Sequence, residues 1–277
     1  MINFAEIPHL RLKKRGKVRD IFEIDEKRLL VVSTDRISVF DRVLKSLIPE
    51  KGRYLNEISS YWFRTINIPN HFITNDVSEF VEDEEIKKRS MIVKYANPLP
   101  VECIVRGYLA GSALRSYKEK GKVNDIVLPE GLKDYAKLPE PIFTPTTKED
   151  IGHDKEITFL EFKDIVGSEL AQVIKELSIM VYEEGSKIAE KKGIIIADSK
   201  FEFGIDNDGN LILIDELLTP DSSRFWDYSL WENNVVVDLD KEFVRDYVRK
   251  TEMDILPDDI IEKTKERYRK IFEIICS

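Results

Sequence analysis

Asp198, Lys200 and Glu202 recur at every second position of the segment IIIADSKFEFG, residues 194–204. A strand points residues two apart to the same side, so two carboxylates and an ammonium share one face. Ala197, Ser199, Phe201 and Phe203 share the other, which reads as core. The charged face is costly to desolvate unless opposite charge or a metal compensates it; a solvated strand face is the simpler alternative. Asp208-Gly209 then marks a hairpin between two β-rich runs. With that turn centred near residues 207–210, antiparallel pairing sets Glu202 roughly opposite Asp215. Opposed like charges destabilise a sheet. The pair makes better sense as oxygen ligands for a hard cation such as Mg2+, which takes one or two carboxylates together with substrate phosphates. The glycine of DNDGN comes too early for a calcium loop, so the chemistry indicated is metal–nucleotide binding.

Other segments supply cations. In RGKVRD, residues 15–20, Lys17 and Arg19 flank a turn next to Gly16 and could reach over phosphates, although on its own the segment reads more plainly as a surface turn. The segment lacks the second glycine and the Lys-Ser/Thr of a P-loop. Lys94, in the apolar run MIVKYA, is a strand lysine of the kind that reaches nucleotide phosphates in kinase-like folds; an edge lysine that discourages aggregation explains it equally. LPVECIVRGYLAGS joins Glu102, Arg106 and Ser112 through a strand leading into a helix start. Ser112 can cap that helix, and the helix N-terminus beside Arg106 can also hold a phosphate or carboxylate. TKEDIGHDKEIT contributes Lys148, His153 and Asp154. A His-Asp neighbour pair suits a general base or a loop cap. With three histidines in the chain, no Ser/His/Asp nucleophile system emerges from the spacing.

The elements that must position these groups are strands first, helices later. Residues 18–34 read as two strands joined by IDEKR, and GRYLNEISSYWFRTI has apolar residues at helical spacing. HFITN and SMIVKYA read as strands, NPLPVECIVRGYLAG as a strand crossing between lobes, and SALRSYKEKG as a helix closed by Gly121. The proline-punctuated stretch from Gly121 to Thr147 reads as a long loop that orders on ligand binding. Two helices precede Gly193, and two more are expected around 240–251 and 257–275. The order favours an α+β fold rather than alternating βαβ units. The expected division is a two-lobed one. Residues 1–97 form an antiparallel, β-rich lobe over a kinase-like nucleotide cleft, and residues 98–277 form a larger α+β lobe for substrate and metal.

The 277 residues allow ample core. A net charge of −9 without a basic block argues against nucleic-acid binding. Cys103 and Cys276 give neither a disulfide framework nor zinc spacing. No apolar run is long enough to span a bilayer, and the N-terminus lacks a signal-peptide core, so no membrane partner and a cytoplasmic location are expected. Apolar residues of the last helices could build a homo-oligomer face or dock on the second lobe.

LPVECIVRGYLAGS and IADSKFEFG together resemble the two signature motifs of the phosphoribosylaminoimidazole-succinocarboxamide synthase (SAICAR synthetase) family. GKVRD, STDRISVFDRVL, IPEKG, TPTTKEDIGHD and DELLTPDSSRFW fit the same family in the same order, from residue 16 to about 231. The resemblance implies an ATP-dependent ligase of purine biosynthesis. It would join the carboxylate of a ribotide, 5-amino-1-(5-phosphoribosyl)imidazole-4-carboxylate (CAIR), to the amine of L-aspartate, with ATP as co-substrate and Mg2+ as cofactor. It places Lys17, Arg19 and Lys94 at ATP phosphates and Glu102 beside the adenine. Arg106, Ser112 and Arg224 would hold the ribotide, with Ser38 of DRISVFD on the substrate side. Glu202 and Asp215 would bind Mg2+, assisted by Asp198 and Lys200; Lys148 would close on the nucleotide or the reacting carboxylate. Lys148, Lys200 and Asp198 are the implied catalytic groups. Phosphoryl transfer to a carboxylate needs positioning and charge neutralisation more than a protein nucleophile. The competing reading is a kinase-like phosphotransferase acting on a small-molecule hydroxyl, although His-Arg-Asp and Asp-Phe-Gly motifs are absent.

Overall fold

The computed structural model describes residues 1–148 and 154–277. The chain opens with three antiparallel strands, β1 (Arg11–Arg15), β2 (Arg19–Glu23) and β3 (Arg28–Ser33). Asp25 shapes the β2–β3 turn, its Oδ1 accepting from the backbone N–H groups of Lys27 and Arg28 at 2.8 Å each. A hairpin of β4 (Arg36–Val39) and β5 (Arg42–Leu47) follows, then helix α1 (Lys51–Thr65), β6 (Phe72–Thr74), the short helix α2 (Glu84–Lys87) and β7 (Ser90–Lys94). The first sheet runs β1-β2-β3-β7-β6. Alternation along β3 sends Leu30 and Val32 to a small cluster with Phe22 and Ile92, and Leu29 and Val31 to the main core with Ile58 and Trp62 of α1.

The second half starts with β8 (Ala96–Pro98), β9 (Val101–Tyr108) and helix α3 (Gly111–Lys120). The stretch from Gly121 to Thr147, expected as loop, carries strands over part of its length: β10 (Lys122–Val123), β11 (Ile126–Val127), β12 (Lys137–Phe143) and β13 (Thr146–Thr147), with residues 128–136 outside any strand. The prolines that suggested a loop, Pro139 and Pro141, lie where the pairing of β12 with β9 is irregular, on a strand bonded to one neighbour only. Helices α4 (Phe159–Val166) and α5 (Ser168–Lys191) lead into the 13-residue β14 (Ile194–Asp206), then β15 (Leu211–Ile214), β16 (Ser223–Asp227), α6 (Tyr228–Glu232), α7 (Glu242–Thr251) and α8 (Asp258–Cys276).

β14 organises the second sheet: different stretches of it pair with β9, β15, β16 and β8, all antiparallel. α5 covers this sheet, and its Tyr182 hydroxyl donates to the carbonyl of Ile196 at 2.6 Å. The β14–β15 turn forms as its sequence requires. Asp206 Oδ1 accepts from the N–H groups of Asp208 and Asn210, and Gly209 takes φ 83°. The register corrects one expectation, because Glu202 pairs with Ile214 and not with Asp215. Asp215 follows the strand in a left-handed conformation, φ 69°, a backbone state that aspartate tolerates better than most residues. α8 packs on α1 through Tyr268 and through Phe272, whose ring lies 5.4 Å from that of Tyr54. Among the described residues no helix is long and apolar enough to cross a membrane.

Candidate active site

A cavity of about 790 Å³ is lined from both sheets. Ile21, Leu29, Val31, Val93, Ile104 and Ile214 give it an apolar wall of the kind that receives a flat ring. The rest is charged. Asp198, Lys200 and Glu202 all line it, so the alternation along β14 turns three ionisable groups toward one cavity.

Two ion-pair networks meet along that face. In the first, Lys200 Nζ bridges Glu102 Oε1 at 2.5 Å and Glu202 Oε1 at 3.2 Å, while Lys148 pairs with Glu202 Oε2. Arg19 reaches across from β2 to Asp215 at 2.8 Å and Glu216 at 3.1 Å. Burial alone would raise the Glu202 carboxyl, but Lys200 and Lys148 outweigh it and hold the group at about 2. Asp215 goes the other way. Burial, with the charges of Glu202 and Glu216, overcomes Arg19 and pushes it up to about 6. Lys200 loses hydration on burial, yet its carboxylate neighbours keep it protonated well above the ordinary lysine range. Glu102 is pushed up by burial against the pull of Lys200.

The second network is built on guanidinium groups. Asp198 Oδ2 accepts from Arg224 at 2.6 Å and Arg106 at 3.3 Å, and Arg224 also pairs with Glu242 at 3.1 Å. Arg106 donates further to Thr144 Oγ1 at 2.9 Å and Ser112 Oγ at 3.2 Å. Ser112 is therefore not the helix cap. Ala110 occupies that position without a side-chain hydrogen bond, which leaves the first N–H groups of α3 to other acceptors. Gly111 takes φ 54°, a backbone state that favours glycine, and a Cβ there would lie 2.4 Å from Arg224 Nη2, so that the guanidinium would have to shift.

Asp198, to which the resemblance gives an assisting role beside the metal ligands Glu202 and Asp215, pairs with Arg224 and with Arg106, its partner in the β14–β9 register. Lys17 pairs with Asp41 at the rim, and Lys94 also lines the cavity. The DRISVFD segment divides. Ser38, Phe40 and Asp41 line the cavity, whereas Asp35 is buried against Arg89 at 2.7 Å and Arg36 against Asp20 at 2.8 Å. His71 also lines the cavity, but burial and Arg19 push it down to about 3, leaving a neutral imidazole. His153 lies outside the described residues. Glu216, Asp221, Lys241 and Arg245 join the lining without having been singled out; Asp221 sits within DELLTPDSSRFW, while Lys241 and Arg245 carry no local signal. Among the described residues no three His, Cys, Asp or Glu side chains gather as a metal cage. The donor set nevertheless suits Mg2+, which needs few protein ligands when phosphates supply the rest, and the raised Asp215 marks negative charge that a cation relieves.

A family model described as SAICAR synthetase matches residues 12–257. The chain belongs to the SAICAR synthetase family. A phosphoribosylaminoimidazole-succinocarboxamide synthase of Thermodesulfovibrio yellowstonii is 52% identical over 282 residues, covering 97% of this chain and 96% of the relative. The solved SAICAR synthase of Saccharomyces cerevisiae, complexed with SAICAR, superposes with a TM-score of 0.87 at 37% identity, covering 99% of this chain and 98% of that one. A SAICAR synthetase in complex with ADP gives a TM-score of 0.74 at 28% identity, covering 95% and 96%. Membership at this coverage makes the chain a ligase of purine biosynthesis and leaves the hydroxyl-directed phosphotransferase without support.

Proposed function

We propose that the cavity binds ATP and CAIR side by side along β14 and joins CAIR to L-aspartate through an acyl phosphate. The observation that carries this is the meeting of the two networks on one strand, with Asp198 of the arginine pair two residues from Lys200 and four from Glu202. In this reading residues 1–97 form a lobe that covers the nucleotide in a kinase-like cleft, and residues 98–277 carry the ribotide and the metal. The apolar wall takes the adenine, near Glu102, and Lys17, Arg19 and Lys94 face the phosphates.

Glu202 and Asp215 would hold Mg2+, which supplies neutralisation of phosphate charge when bound. Arg106, Arg224, Ser112 and the uncapped start of α3 receive the ribotide phosphate or carboxylate, a task suited to guanidinium forks and a helix N-terminus, with Ser38 on the same side. Lys148 and Lys200 orient the reacting carboxylate and γ-phosphate. A carboxylate oxygen of CAIR attacks the γ-phosphorus, the bond to ADP breaks, and the carbonyl carbon becomes open to the neutral amine of aspartate. The C–N bond then forms, the C–O bond to phosphate breaks, and inorganic phosphate leaves with the oxygen it gained and with the proton that the amine gives up. The bound groups are held in line and shielded from water, which is how such transfers are accelerated.

ADP release measured with ATP and Mg2+ tests the reading. Turnover is expected only when CAIR and L-aspartate are both present, with a product mass equal to SAICAR. ADP formed with a hydroxyl acceptor, or in the absence of either partner at the same rate, would overturn it.

A further inference from the structure

We propose that Lys241 receives a carboxylate of the amino-acid substrate, and that a buried cluster of Lys51, Asp221 and Tyr268 positions the site around it; this rests on the ligase reading above. Lys241 precedes the first turn of α7 and lines the cavity. The arginines that line the same cavity are committed: Arg106 to Asp198, Arg224 to Asp198 and Glu242, Arg245 to Glu242. The Lys241 ammonium makes no hydrogen bond or ion pair among the described residues. Burial pushes it down to about 8, opposed chiefly by the charge of Asp221. A lysine that has lost water without gaining a partner is stabilised by an incoming carboxylate.

The charge beside it selects the kind of ligand. Asp221 Oδ2 accepts from Lys51 Nζ at 2.7 Å and Oδ1 from the Tyr268 hydroxyl at 2.6 Å. Both donors are fully buried, so the carboxylate is fixed in place. Burial would raise it, but Lys241 and Lys51 hold it well below the usual carboxylate range. Each oxygen keeps one further acceptor position. A fixed anion near an unpaired cation complements a zwitterion, the α-amino acid, and repels a phosphate dianion, which the arginine network already suits. Tyr268 lies on α8, beyond residue 257 where the family match ends, so this helix contributes a positioning residue as well as packing.

Initial rates of the full-length chain with ATP, CAIR and L-aspartate test the assignment once the unaltered protein is shown to make SAICAR; failure at that stage would reject the ligase reading rather than this one. Lys241→Met is expected to raise the KM for L-aspartate about tenfold or more, the loss of one charge-assisted hydrogen bond, and to leave those for ATP and CAIR within about twofold. Lys241→Arg restores part of the loss. Tyr268→Phe, which removes only the hydroxyl, raises the aspartate KM about threefold with the ATP value unchanged, and gives the same reading if Lys241→Met does not fold. An unchanged aspartate KM in these variants, or an equal rise for CAIR or ATP, would overturn the proposal.

Discussion

Glu202→Gln and Asp215→Asn should move the stability of the ligand-free protein in different directions, although both remove one carboxylate charge from the same network. Glu202 is held at about 2 against an ordinary 4.5, so its ionised form is favoured by the fold. At 1.36 kcal/mol per unit this amounts to about 3 kcal/mol at neutral pH, and the side chain is only 9% exposed, so little of it is lost to solvent screening. Glu202→Gln leaves Lys148 without its carboxylate partner and Lys200 with Glu102 alone. A loss near 3 kcal/mol lowers the melting temperature by roughly 5–10 °C. Asp215 is pushed up to about 6, so at pH 7 its charge is a burden that Arg19 only partly offsets. Asp215→Asn should therefore melt at the same temperature or higher. Thermal melts at pH 7 with and without Mg2+ and ATP, set beside turnover, measure both. Each variant should lose most activity and most of the stabilisation that Mg2+ and ATP confer. Equal destabilisation by both, or an unchanged melting temperature for Glu202→Gln, would refute the electrostatic reasoning.

Arg106→Lys or Arg224→Lys should raise the KM for CAIR by about tenfold or more while that for ATP changes little, since an ammonium cannot reproduce the two-pronged contact; equal effects on both substrates would contradict the ribotide site. Burial would raise the Glu242 carboxyl, but Arg224, Arg245 and Arg249 hold it at about 2 against an ordinary 4.5. Its folded value is depressed, so it contributes up to about 3 kcal/mol that is present above pH 4.5 and lost as pH falls toward 2. Glu242→Gln should flatten the fall in melting temperature over that window and lower it at neutral pH, a comparison that melts at stepped pH would make.

The chemistry was most legible where it was local. The two-residue period of Asp198, Lys200 and Glu202 is a property of one strand, and it survives into the cavity. Asp215 was misplaced by one position because pairing ends at Ile214 and the next residue turns left-handed, which no alternation signals. β1 left no sequence trace: Arg-Leu-Lys-Lys-Arg is exposed along its whole length, as edge strands tend to be. β12 was hidden by Pro139 and Pro141, which mimic loop punctuation on a strand with one bonded neighbour. The cluster of Lys51, Asp221 and Tyr268 spans 217 positions of the chain, and only folding brings its members together. For the last helix the sequence leaves open a face for another copy or docking within the chain; its Tyr268, Ile271 and Ile275 are buried in this chain's own core.

In the proposed reaction the cavity activates a substrate carboxylate by phosphorylating it. CAIR carrying 18O in its carboxylate, turned over with ATP and L-aspartate, tests this most directly through the mass of the released phosphate. The account predicts one 18O atom per phosphate, in step with SAICAR formation, and none in ADP. Unlabelled phosphate from a turnover that yields SAICAR would contradict it.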